Sequence, residues 1–72
     1  MRKDVVMIDG RRDCYEPYQL GKTMTVGELI DYLSYNYDRE SPVMIINDGG
    51  YTYGQISEDS VFEKNVEMDE ED

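Results

Sequence analysis

The sequence predicts a small α+β protein: one amphipathic helix packed on a small antiparallel sheet, in the order β-β-α-β-β, with a short C-terminal element. Three observations carry this reading. Thr25 and Glu28 form a capping box that opens a run with helical apolar spacing. The apolar run VMIIN at 43–47 leads into Asp48-Gly49-Gly50 and then into an alternating tyrosine segment. A second apolar run, DVVMID at 4–9, stops at Asp9-Gly10, a strong turn signal.

At 72 residues the chain has the size of one domain whose single core is only just sufficient. The expected organisation is a compact α+β domain over residues 1–66 and an acidic tail over 67–72. Within the domain, 4–9 suits a strand, with Val5 and Met7 on one face and Val6 and Ile8 on the other. Arg11, Arg12 and Asp13 then form an exposed tip. CYEPYQL at 14–20 is expected to return as a second strand, at an edge or with a bulge because Pro17 lacks a backbone donor. Gly21-Lys22 closes it.

The helix is the best-marked element. Met24 and Leu29 occupy the positions of a hydrophobic staple, and Val26, Leu29, Ile30, Leu33 and Tyr37 share one face. Glu28 and Asp31 lie early, where the helix dipole favours negative charge. The helix should end near Asp38, because Pro42 forces Ser41 into an extended conformation. Beyond it, 43–47 reads as a central strand, Asp48-Gly49-Gly50 as a tight hairpin turn, and 51–56 as the last clear strand. Gly54 there marks a bulge or a close packing contact. Ser60-Val61-Phe62-Glu63 fits a second capping box, but the parity of Phe62, Val66 and Met68 favours an extended segment.

Charge narrows the range of functions. The net charge is −10, from 17 acids and 7 bases. Residues 1–40 hold eight acids and six bases, whereas 41–72 hold nine acids and only Lys64. Such a field opposes direct binding to nucleic acid or to an anionic membrane and favours a basic protein surface. Without histidine the chain lacks the commonest general base and transition-metal ligand. Cys14, the only cysteine, has no thiol partner for an internal disulfide and no histidine to activate it; it is read as a buried or semi-exposed structural residue. The Asn47–Gly50 turn lacks the alternating ligands of a calcium loop. The expectation is a non-enzymatic protein without cofactor or metal. With no apolar leader or membrane-length run, it is expected in the cytoplasm.

The more informative residues are acidic and aromatic. Glu28, Asp31, Tyr35 and Asp38 are spaced to form one stripe opposite the apolar face, flanked by Tyr32. A solvated helix face is the ordinary reading of such a charge run, but solvated faces usually mix lysine with glutamate, and this helix carries no base before Arg39. The stripe would extend into Glu58, Asp59 and Glu63 if those pack nearby. Seven tyrosines exceed what a small core can take, and exposed tyrosines among acids suit recognition of arginine-rich surfaces. Tyr53 joins Tyr32 and Tyr35 as a candidate anchor.

The segments MTVGELIDYL, SPVMIINDGGYTYG and ISEDSVFE, spread over residues 24–63, resemble small proteins of phages, prophages and mobile elements of Gram-positive bacteria. That group includes acidic anti-CRISPR inhibitors and other DNA mimics. The resemblance implies a decoy in the bacterial host cytoplasm. Its carboxylates would occupy the basic nucleic-acid channel of a host DNA-binding protein, such as a CRISPR effector nuclease. Six bases in the first forty positions depart from whole-surface mimicry and leave a localised acidic face as the better form. The alternative is an assembly module, a homodimer formed through a sheet edge, with no mimicry of nucleic acid.

Overall fold

The computed structural model describes residues 2–68. The elements are β1 (Val6–Asp9), α1 (Val26–Asn36), β2 (Val43–Asn47) and β3 (Thr52–Gln55), joined by three short 3₁₀ turns at Pro17–Gln19, Asp48–Gly50 and Glu58–Ser60. The chain is therefore a small α+β fold with one helix and a three-stranded mixed sheet in the order β1-β2-β3. The C-terminal four residues of the expected acidic tail lie outside the described residues.

Two expectations about the sheet are corrected first. Residues 14–20 do not form a strand. Glu16 is extended, Pro17 begins a 3₁₀ turn, and the Glu16 N–H donates to Gln19 Oε1 at 3.0 Å. Proline suits the first position of a helical turn because its missing donor would go unpaired there anyway. The sheet is also not wholly antiparallel. With no return strand at 14–20, β1 reaches β2 only through the crossover that contains α1, a connection long enough to allow the parallel pairing observed. Val6 pairs with Val43 and Ile8 with Ile45, and Gly10 N–H extends the ladder to the Ile46 carbonyl at 3.0 Å.

The hairpin of β2 and β3 follows the sequence. Met44 pairs with Gln55, Ile45 with Gly54 and Ile46 with Tyr53, antiparallel. Its turn needs left-handed backbone at three successive residues: φ is 50° at Asp48, 66° at Gly49 and 104° at Gly50. Glycine adopts these angles freely and aspartate tolerates the first. Gly54 stays in register, and a Cβ there would meet Ile45 Cβ at an ordinary 3.9 Å. It marks neither a bulge nor an unusually close contact.

Strand alternation gives the sheet two unlike faces. Val6, Ile8, Val43, Ile45, Asn47, Thr52 and Gly54 share one face, which carries no charge. Met7, Asp9, Met44, Ile46, Tyr53 and Gln55 share the other. The expected packing of the helix on this sheet is not what the structure contains, because α1 makes at most marginal contact with any strand. Among the described residues none is buried, and β2 is half-buried throughout. The radius of gyration is 14.3 Å, against about 11 Å for a compact chain of this length.

After β3 the capping interaction sits one turn earlier than the sequence suggested: Ser57 N–H donates to Ser60 Oγ at 2.8 Å. Residues 61–68 are neither helix nor strand. Cys14 is exposed, and its thiol donates to the Glu16 carbonyl at 3.3 Å.

Candidate functional site

The outer face of α1 is built from its N-terminus. Thr25 is extended; its N–H donates to Glu28 Oε1 at 2.9 Å, and its Oγ1 accepts from the Glu28 N–H at 3.1 Å. These reciprocal bonds satisfy two of the donors that a helix start leaves open. They also hold the Glu28 carboxyl below its ordinary value, through the Thr25 backbone bond first, then the Thr25 hydroxyl, with a smaller contribution from the positive charge of Lys22. Glu28 is thus a helix cap and a fixed negative charge at once.

Asp31 and Tyr35 follow on the same side of the helix, and with Ser34 they line a shallow depression. Tyr35 is 92% exposed. Tyr32 lies beside them and meets Tyr37 edge-on, with ring centroids 6.2 Å apart and planes at 67°. Hydrogen bonding with the Tyr32 hydroxyl, and then its charge, push the Tyr37 phenol above its ordinary value.

The helix ends two residues before the expected boundary. Tyr37 is extended, its N–H closing the last turn onto the Leu33 carbonyl at 3.0 Å. Asp38 therefore lies beyond the helix instead of continuing the stripe, and its carboxylate accepts the Glu40 N–H at 2.9 Å. That bond and the one from Ser41 N–H to the Asp38 carbonyl, at 3.0 Å, make a local turn between α1 and β2. The structure keeps Glu28, Asp31 and Tyr35 together, flanked by Tyr32.

Glu58 and Asp59 occupy the last 3₁₀ turn, Glu63 the irregular segment after it, and Tyr53 the sheet face with Met44 and Ile46. Neither β3 nor the last 3₁₀ turn makes more than marginal contact with α1. The candidate residues thus form a helical group and a C-terminal group, each exposed.

All three ion pairs among the described residues lie elsewhere: Arg11 with Asp13 at 3.4 Å, Arg12 with Asp48 at 3.9 Å, and Arg39 with Glu40 at 3.9 Å. The second follows from the parallel pairing, which brings the C-terminal ends of β1 and β2 side by side. Among the described residues no group of three or more histidine, cysteine or acidic side chains is arranged to hold a metal ion. Among the described residues no helix is long and apolar enough to cross a membrane.

Sequence reasoning assigned one surface to the interior that the structure leaves outside. Val26 is 76% exposed and Ile30 57%, and Leu29 on the same face is also open to solvent. The signal was present in the helical spacing; what the spacing does not specify is which surface covers the stripe. Comparison with protein-family models, with curated proteins and with solved structures finds no match.

Proposed function

We propose that the chain is a non-catalytic inhibitor or decoy of phage or mobile-element type. It acts in the bacterial cytoplasm on a basic, nucleic-acid-handling host protein of the kind exemplified by CRISPR effector nucleases. The observation that carries this reading is the outer face of α1. Asp31 and Tyr35 stand in solvent, Glu28 is held ionised, and none of the three has an ion-pair partner among the described residues. A carboxylate row without lysines has unused capacity for arginine and lysine of another protein, and the tyrosines beside it offer stacking surface for guanidinium groups. Glu58, Asp59 and Glu63 provide a second acidic group, with Tyr53 on the neighbouring strand.

The test is affinity capture from host lysate at low salt, followed by competition between the captured protein's nucleic acid and this chain. The expected result is recovery of a basic nuclease or DNA-binding protein whose nucleic acid is displaced, with affinity falling steeply as salt rises. Asp31→Lys combined with Glu63→Lys should weaken the complex more than tenfold while leaving the helix cap intact. Capture that recovers no basic nucleic-acid-handling protein overturns the reading.

A further inference from the structure

The apolar stripe of α1 is largely exposed, the uncharged face of the sheet is only half-buried, and both belong to the same chain. Val26, Leu29 and Ile30, all exposed, and the half-buried Leu33 form the first; the exposed Ile8 and the half-buried Val6, Val43 and Ile45 form the second. From these we infer that the chain completes its core with a second copy of itself. The α1 stripe of each protomer docks on the uncharged sheet face of the other, in a two-fold exchange.

Area supports this occupant. The chain exposes 7331 Å², whereas a compact monomer of 8.4 kDa exposes about 4,600 Å². The excess, roughly 2,700 Å², is of the size that each chain contributes to a large obligate dimer. Ordinary transient interfaces take about 800 Å² per partner and would leave most of that excess exposed.

Self-complementarity supports it independently. A foreign partner would have to supply both an apolar helix for the sheet and an apolar sheet for the helix. A second copy supplies both, and a two-fold axis satisfies the two contacts together. Gly54 beside Ile45 has no side chain, and Gly10 stands where a Cβ would collide with Asn47 Oδ1. The route between α1 and β2 is itself structured. The extended Tyr37, packed on Tyr32, and the hydrogen-bonded Asp38–Ser41 turn carry the helix off its own sheet.

This arrangement uses faces, not the sheet edge, and is independent of the acidic surface. The experiment combines sedimentation of the full chain over a micromolar concentration series with isotope-filtered NMR on a mixed sample of labelled and unlabelled protein. The expected results are a dimer mass and intermolecular contacts between Leu29 or Ile30 methyls and Val43 or Ile45 methyls. Leu29→Glu with Ile30→Glu should weaken the dimer by roughly a hundredfold or more, since two buried aliphatic side chains are lost per protomer. A monomer at every concentration overturns the inference, as do methyl contacts that are only intramolecular. A dimer whose cross-protomer contacts lie between strand edges overturns it as well. The wild-type NMR result decides even where the double variant fails to fold.

Discussion

Replacing Thr25 by alanine removes the acceptor for the Glu28 N–H and unlocks the reciprocal bond from the Thr25 N–H. The helix concerned is 11 residues long, shorter than the roughly 12–15 residues an isolated helix needs to be even marginally stable in water. No strand makes more than marginal contact with it within the chain, so little tertiary energy masks the loss. Removing a threonine cap costs about 1 kcal/mol, which is about a fivefold fall in the ratio of helix to coil. Far-UV circular dichroism and the carbon chemical shifts of residues 26–36 read this directly, most sharply in dilute solution where contacts between copies contribute least. Thr25→Ser should restore most of the helix. Unchanged helix content in Thr25→Ala would refute the reasoning, because it would mean that something other than the cap holds the N-terminus.

The same box fixes a pH dependence. The folded Glu28 carboxyl titrates below its ordinary value of 4.5, so the folded state favours the charged form more than the unfolded chain does. Its contribution is fully present above that ordinary value and is lost as pH falls through the depressed one. Glu28→Gln retains a side chain able to accept the Thr25 N–H but no longer titrates. The acid-side loss of helix should therefore flatten in this variant.

At the hairpin, Gly50→Ala places a Cβ at a φ of 104°, and strain of on the order of 1–3 kcal/mol should lower the urea midpoint. Gly49→Asn, at a φ of 66°, should cost much less because asparagine tolerates the left-handed region. Gly10→Ala would put a Cβ 3.3 Å from Ile45 Cγ2 and into collision with Asn47 Oδ1; the expected outcome is displaced Asn47 and Gly10 amide signals with reduced stability. The raised Tyr37 phenol makes a contribution that is present below the ordinary value of 10.0 and lost as pH rises through the raised one. Tyr32→Phe should return that titration, read by ultraviolet absorbance, to the ordinary range.

Local signals in the sequence were sufficient for α1, β2, the Asp48–Gly50 turn and β3, because each is specified by neighbours: a capping pair, an apolar run, left-handed positions, alternation. The segment at 14–20 went the other way because its tyrosines and leucine resemble a strand, while Glu16, Pro17 and Gln19 together encode a capped turn. The parallel pairing of β1 and β2 was not legible. It depends on contacts between residues far apart in the chain, and a run such as Val6–Asp9 reads the same in either direction. In the candidate site, the spacing of Glu28, Asp31 and Tyr35 was enough to group them. Asp38 dropped out of the helix because its own carboxylate captures the Glu40 N–H, a local competition that helical spacing does not register.

The two proposed contacts have opposite responses to salt, and this follows from where the charges lie. With about 100° per residue, Asp31 and Tyr35 stand about 140° and 180° around the helix from Val26, so covering the apolar stripe leaves the acidic stripe in solvent. Attraction between carboxylates and a basic partner is screened as ionic strength rises, and that complex should weaken. Two copies of a chain with net charge −10 repel one another, while the faces proposed to join them are apolar, so screening removes an opposing force and leaves the contact in place. Raising salt should tighten the dimer, or leave it unchanged, over the same range in which the complex with a basic protein dissociates. Sedimentation of the chain alone and binding to the captured protein, measured in one salt series, give the two slopes. A dimer that falls apart with rising salt would mean that charge pairing, not apolar burial, holds the copies together.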